Sequence, residues 1–159
     1  MKKLAKTFSI LGLIGAALFA PFSLAQTHST YATPDMYVVM FRADWCGPCR
    51  IVEPKLKQAL VNLRDPKIEY LVIDISHPST SEIGAHAAFD RQIVPQYNGW
   101  LGTTGFAALI DADTKRTLGC INMLYDTGAM QSHIANLKQV ALTNRHVQDV
   151  TCPELNRTG

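Results

Sequence analysis

Two cysteines separated by two residues are the part of this chain whose types and spacing point most directly to chemistry. Cys46 and Cys49 stand in the stretch DWCGPCR, residues 44–50. Such a pair can hold a metal, lock a fold or carry electrons by dithiol–disulfide exchange. The surrounding sequence has to decide among the three.

The pair lies between a predicted strand and a predicted helix. Residues 37–41 (YVVMF) form a continuous apolar run typical of a strand buried on both faces. Apolar residues then recur at helical spacing over 49–63, with Pro54 inside the pattern. At a helix N-terminus, unpaired N–H groups and the helix dipole lower the pKa of a thiol from its free value of about 8.5. We therefore expect Cys46 to be the nucleophile and Cys49 to resolve the mixed disulfide.

The two residues between the cysteines suit that geometry. Gly47 allows a tight turn, and Pro48 fits a first helical turn because its missing N–H would be unpaired there. A metal site would need two more ligands, and the chain has no second Cys-x-x-Cys and no closely spaced histidine pair. We predict no metal or other cofactor. A purely structural 46–49 disulfide would close too short a loop to constrain the unfolded chain much.

The remaining pattern predicts one α/β domain. Ser79 and Glu82 form a possible capping box, and residues 96–105, with three glycines, are predicted as a loop. The predicted strands are 37–41, 68–75, 106–110 and 117–121, and the predicted helices are 49–63, 79–89 and one that begins near residue 126 or 127. This order gives a βαβ unit followed by a ββα unit, hence one mixed sheet flanked by helices.

The motif WCGPC at 45–49 resembles the active site of the thioredoxin family. The agreement extends to VVMF at 38–41, to Ala43 and to Pro54, and the general pattern covers most of residues 37–142. The resemblance implies a thioredoxin-like fold and a thiol:disulfide oxidoreductase that acts on proteins carrying disulfides or dithiols. Trp45, Gly47 and Pro48 would form the surface around the cysteines.

The sequence departs from that family in three places. The buried acid that the family often places six residues before the first cysteine is Met40 here. The cis-proline expected before the third strand falls near Gly105, preceded by Thr104, unless Pro95 fills the role. The arm before residue 37 is too short for the family's usual first strand and helix, so we expect a trimmed fold.

Two aromatic residues in the predicted loop have two possible roles. Tyr97 and Trp100 could line a groove for the substrate peptide, or they could pack the loop on the core.

The first 25 residues have the layout of a secretory signal peptide. Lys2, Lys3 and Lys6 precede an uncharged apolar run, which ends in Ser-Leu-Ala at 23–25. We expect cleavage after Ala25 and a periplasmic location, with an uncleaved membrane anchor as the alternative. The predicted divisions are a signal peptide at 1–25, a loose arm at 26–35, a thioredoxin-like domain at 36–143 and a tail at 144–159.

The net charge of the mature chain argues against a nucleic-acid partner. The whole chain has 15 basic and 13 acidic residues, and three of the lysines belong to the signal. The remaining balance of about −1 offers no polybasic surface for nucleic acid or anionic lipid.

The other two cysteines are Cys120 and Cys152. In an exported protein we expect them to form a structural disulfide that pins the tail to the sheet and stabilises the fold by roughly 3 kcal/mol. The alternative is two free thiols, with Cys120 buried as a small hydrophobe.

The predicted function is a periplasmic thiol–disulfide oxidoreductase that works through Cys46 and Cys49. The Gly-Pro pair between the cysteines resembles the reducing members of the family, which favours a reductase or isomerase. A reductase in an oxidising compartment would need a membrane-embedded electron donor. The alternative is a binding or chaperone-like module with little redox activity, since a fold alone does not determine function.

Overall fold

A computed structural model describes residues 33–143, 145 and 151–155. The predicted signal peptide, most of the predicted arm and part of the tail lie outside the described residues, as does the prediction of a trimmed N-terminus. Within the described residues, no helix combines the length and the apolar character needed to cross a bilayer.

The described residues form a four-stranded mixed sheet with four helices. The strand order is β2-β1-β3-β4; β1 and β2 are parallel, and the other two pairings are antiparallel. The strands are β1 (Met36–Arg42), β2 (Ile68–Asp74), β3 (Phe106–Asp111) and β4 (Thr117–Ile121), and the helices are α1 (Cys49–Leu63), α2 (Pro78–Asp90), α3 (Val94–Gly99) and α4 (Thr127–Leu142). The predicted α/β fold, a βαβ unit followed by a ββα unit, is confirmed.

Strand β1 is the centre of the molecule because both of its faces are covered. Successive side chains of a strand point to opposite faces. Val38 and Met40 accordingly join the core beneath α1 and α4, and Val39 and Phe41 join the core on the other face. The continuous apolar run at 37–41 reflects this double burial.

Two predictions about α2 and the segment after it are wrong. Helix α2 begins at Pro78 rather than at a Ser79–Glu82 capping box, and the N–H of His77 donates to Thr80 Oγ1 at 3.2 Å. Residues 94–99, part of the predicted loop, form the short helix α3. Pro95 stands at the start of that helix, where the absence of an N–H costs nothing.

The sheet register brings the cysteine turn and the segment before β3 together. Phe41 at the end of β1 is paired with Phe106 at the start of β3. Because these strands are antiparallel, the residues that follow β1 and those that precede β3 lie at the same edge of the sheet. The candidate site is at this edge.

Candidate active site

Cys46 and Cys49 form a disulfide at the N-terminus of α1, with Cα atoms 5.4 Å apart. The helix begins at Cys49, so Cys46 lies three residues before it and not within its first turn. The N–H of Cys49 donates to Cys46 Sγ at 3.1 Å. This N–H is one of the donors that a helix N-terminus leaves unpaired, and it would stabilise negative charge on Cys46 in the reduced protein.

The surface beside the disulfide is formed by residues of the motif itself. Cys46 is 4% exposed and Cys49 is 2% exposed, whereas Trp45 is 64% exposed. Gly47 and Pro48 are also exposed. A partner that approaches Cys46 therefore meets Trp45, Gly47 and Pro48 before it reaches the sulfur.

Gly105 closes the site from the β3 side. Its φ is +92°, and a Cβ built there would stand 2.8 Å from Pro48 Cβ and 3.5 Å from Cys46 Sγ. Its N–H donates to the carbonyl of Phe41 at 2.9 Å. The position therefore needs glycine for two reasons, a left-handed backbone and the close approach of Pro48.

The structure separates the other predicted groove residues. Thr104 is half-buried and adjoins Gly105, while Pro95 lies in α3. The described residues contain no cis peptide bond, and the φ of Gly105 is one that proline cannot adopt. Trp100 is 2% exposed and packs against Phe41 and Phe106, so the structure places it in the core and not in a groove.

The surroundings of Cys49 are apolar. Met40 is fully buried in the same core cluster as both cysteines, at the position where the family resemblance would place an acid. The carbonyl of Phe41 lies 3.9 Å from Cys49 Sγ. In the reduced protein this carbonyl could accept a weak hydrogen bond from the Cys49 thiol, which would keep the proton on Cys49.

A charged cluster that sequence reasoning missed fixes the strand ends below the cysteine turn. Arg42 contacts Asp44 at 2.6 Å, Asp74 at 2.5 Å and Glu53 at 3.3 Å. Burial would lower the pKa of Arg42, but its hydrogen bond with Asp44 and the charges of Asp74 and Glu53 raise it. The cluster joins the end of β1 to β2 and α1, and so fixes where the cysteine turn begins.

The pKa of Asp74, one of the three carboxylates of this cluster, is lowered. Burial would raise the pKa of Asp74, but hydrogen bonds from the Ser76 hydroxyl and N–H and the charge of Arg42 lower it. The sequence signal was the position of Arg42 and Asp74, since each ends a strand and the carboxyl ends of parallel neighbours meet at one edge.

The remaining cysteines, Cys120 and Cys152, also form a disulfide. Cys120 is fully buried in β4, and its N–H donates to Thr151 Oγ1 at 2.8 Å. The bridge thus attaches residues 151–155 to the sheet. Among the described residues, no group of three or more histidine, cysteine or acidic side chains is arranged to hold a metal ion.

Comparison with known proteins gives one family match. The family model described as Thioredoxin matches residues 25–89. Thioredoxin H8 of Arabidopsis thaliana is 40% identical over 43 residues, which are 27% of this chain and 28% of that protein. The matched stretch is thus little more than a quarter of the relative's length.

Several solved structures are also similar. A thiol:disulfide interchange protein of the thioredoxin family from Chlorobium tepidum TLS is 19% identical, with a TM-score of 0.45, over 65% of this chain and 80% of that one. Fasciola hepatica thioredoxin is 20% identical, with a TM-score of 0.41, over 65% and 82% of the two chains.

The family match and the site agree with each other. The matched residues include β1, both cysteines of the motif and α1. The family match and the motif disulfide thus fall in the same part of the chain, and two cysteines two residues apart at a helix N-terminus have the geometry for dithiol–disulfide exchange.

Proposed function

We propose that the protein is a periplasmic thiol–disulfide oxidoreductase that transfers electrons to protein disulfides through Cys46 and Cys49, as a reductase or isomerase. The observation that carries this proposal is the 3.1 Å hydrogen bond from the N–H of Cys49 to Cys46 Sγ. It selects one sulfur of the pair as the thiolate, and that sulfur adjoins the exposed surface of the motif.

The reaction follows from the positions of the two sulfurs. In the reduced protein, the Cys46 thiolate attacks one sulfur of a substrate disulfide, forms a mixed disulfide and releases the other substrate sulfur as a thiolate. Cys49 then loses its proton and attacks Cys46 Sγ, which releases the second substrate thiolate. Two electrons pass to the substrate, and the protein is left with the Cys46–Cys49 disulfide.

The apolar surroundings of Cys49 affect the second step. With Met40 beneath the pair and no carboxylate at that position, the proton of Cys49 has to leave to solvent or to a substrate group. We expect resolution of the mixed disulfide to be the step that limits the rate at neutral pH.

The proposal also includes a periplasmic location and an electron source in the membrane. The layout of residues 1–25 favours export by a cleaved signal peptide. A reductase that works in an oxidising compartment has to be reduced again after each turnover, and a membrane-embedded dithiol donor would meet that need.

Insulin reduction with dithiothreitol as electron source tests the activity. The wild-type protein should accelerate precipitation of the insulin B chain, and Cys46→Ser should abolish the acceleration. Cys49→Ser should instead accumulate a mixed disulfide through Cys46, detected by mass. Undiminished turnover in the doubly substituted Cys46→Ser/Cys49→Ser protein would exclude the proposed chemistry, and an inactive wild-type protein that still binds unfolded peptides would favour a chaperone-like module.

A further inference from the structure

Residues 151–155, here called the strap, connect the Cys120–Cys152 disulfide to α3, the helix that precedes residues 101–105. At one end of the strap, Cys152 is bonded to Cys120, and Thr151 Oγ1 accepts the N–H of Cys120. At the other end, Leu155 packs so closely on Gly99 that a Cβ on that glycine would stand 2.6 Å from Leu155 Cδ2.

Between these ends the strap holds Trp100. The indole Nε1 donates to the carbonyl of Pro153 at 3.0 Å. The ring makes edge-to-face contacts with Phe41 at 5.5 Å and with Phe106 at 5.3 Å between centroids, and those two rings stack on each other. The orientation of the buried indole is thus fixed by core aromatics on one side and by the strap on the other.

Trp100 also directly precedes the segment that reaches the cysteines, residues 101–105. Its carbonyl accepts the N–H of Thr103 at 2.9 Å, and the segment 101–105 ends at Gly105, against Pro48 and Cys46 Sγ. The N–H of Gly105 is bonded to Phe41, the same residue whose ring contacts Trp100. Trp100 therefore contacts the strap and also supports residues 101–105, here called the active-site wall.

We propose that Trp100 is a positioning residue and that the Cys120–Cys152 disulfide, acting through the strap, holds the segment 101–105 against Cys46 for protein substrates. This inference rests on the proposed function, because it assigns a role in substrate recognition to a bridge otherwise expected only to stabilise. Loss of the bridge frees the strap, removes the partner of the indole N–H and loosens the wall that Gly105 forms.

Three variants test the proposal. Cys120→Ala/Cys152→Ala removes the anchor of the strap, and Trp100→Phe keeps an aromatic ring but removes the indole N–H donor. The matched control is Gln96→Ala, which deletes another side-chain bond from α3, the 2.6 Å contact from Gln96 Nε2 to the carbonyl of Lys115. The control bond does not involve the strap.

The first measurement is amide hydrogen exchange, which does not depend on enzymatic activity. The Gly105 amide reports on the active-site wall. The Asp35 amide, which donates to the carbonyl of Lys67 at 2.8 Å, serves as the reference, because it lies at the start of β1, the end of the strand opposite the site. We expect amide exchange at Gly105 to be at least about tenfold faster in Cys120→Ala/Cys152→Ala and in Trp100→Phe than in wild type. Exchange at Asp35 in these two variants, and at both amides in the Gln96→Ala protein, should stay within about twofold of wild type. Unchanged exchange at Gly105 in Trp100→Phe would overturn the proposal, and this variant decides the matter if the double alanine protein does not fold.

The second measurement separates positioning from general stability. Insulin reduction by folded variants, well below their unfolding midpoints, should show KM raised roughly fivefold with kcat within about twofold, since the loosened wall contacts substrate before the chemical step. An unchanged KM in both variants would mean that the bridge is only structural. Inactivity of the wild-type protein would instead exclude the proposed function, while the exchange measurement would still test the coupling.

Discussion

Gly105 combines a left-handed backbone with a crowded position beside the cysteines. Gly105→Ala combines a left-handed φ with a Cβ 2.8 Å from Pro48. We expect the substitution to lower the free energy of unfolding by about 2 kcal/mol. Thiol–disulfide exchange at Cys46 should slow by roughly tenfold, because Pro48 and the cysteine turn have to move to make room for the added methyl group.

The chain offers a matched control for this substitution. Gly102 has nearly the same φ, +90°, but a Cβ there would meet nothing within 4 Å. Gly102→Ala should therefore share the backbone strain, about 1 kcal/mol, and leave insulin reduction almost unchanged. Chemical denaturation and turnover measured on both proteins check the prediction, and equal activities would show that the contact with Pro48 does not matter.

The sequence identified the two cysteines that form the motif disulfide but not their surroundings. Cys46 and Cys49 were identifiable because their spacing and their place between a strand and a helix are local features. That Gly105 adjoins Cys46 was expected only from the family resemblance, since the two residues are far apart in the chain and the strand register brings them together. The contact of Arg42 with Asp74 depends on a different register, that of β1 with β2, and was missed together with the contacts of Arg42 to Asp44 and Glu53.

Among the elements, the strands and the long helices were predictable and the short helix α3 was not. Helix α1 spans the predicted residues 49–63, and its buried face includes Val52 and Leu56, whereas Ile51 and Val61 are exposed. Helix α3 has six residues, two of them Pro95 and Gly99, so its composition resembles a loop. Tertiary contacts support it, including the bond from Gln96 to the β3–β4 hairpin and the packing of Leu155 on Gly99.

The two disulfides differ in the residues that surround them and in the activation of their sulfurs. The Cys46–Cys49 bridge lies in a turn whose other residues are exposed, and a helix N–H stabilises Cys46 as a leaving group. The Cys120–Cys152 bridge has one sulfur on a fully buried strand residue. The two bridges should therefore differ in their rates of reduction.

Thiol counting checks this difference. Mild reductant should release two thiols in the native protein, both in the motif, and reductant with denaturant should release four. Alkylation followed by peptide mass analysis assigns them to positions. Labelling of Cys120 in the mildly reduced native protein would show that the Cys120–Cys152 bridge is as labile as the motif bridge.

For the molecule as a whole, partly buried ion pairs are expected to make the fold sensitive to acid. Burial would raise the pKa of Asp65, but hydrogen bonds from the side chain of Lys138 at 2.5 Å and from the N–H of Lys67, with the charges of both lysines, lower it below its ordinary value of 3.8. A carboxylate whose pKa is lower in the folded state stabilises the protein above the unfolded pKa, and this stabilisation is lost as the pH falls through the folded pKa. The pKa of Asp74 is lowered in the same sense.

The free energy of unfolding should therefore fall as the pH drops below about 5. Asp65→Asn should cost about 1 kcal/mol at pH 6 and should make the fall below pH 5 shallower, because one of the carboxylates that cause it is gone. Urea denaturation between pH 2 and pH 6 measures both effects. A variant whose acid dependence matches that of wild type would show that the Asp65–Lys138 contact does not contribute to it.

We propose that the protein transfers electron pairs to substrate disulfides through Cys46 and Cys49, that is, in the reducing direction. Equilibration with glutathione buffers, followed by acid quenching, alkylation and mass analysis, gives the reduction potential of that bridge directly. We expect a reversible two-electron transition nearer to the thioredoxin value of about −270 mV than to the value of about −120 mV of a strong periplasmic oxidant. A motif disulfide that does not exchange with glutathione, or one with a potential close to about −120 mV, would contradict it.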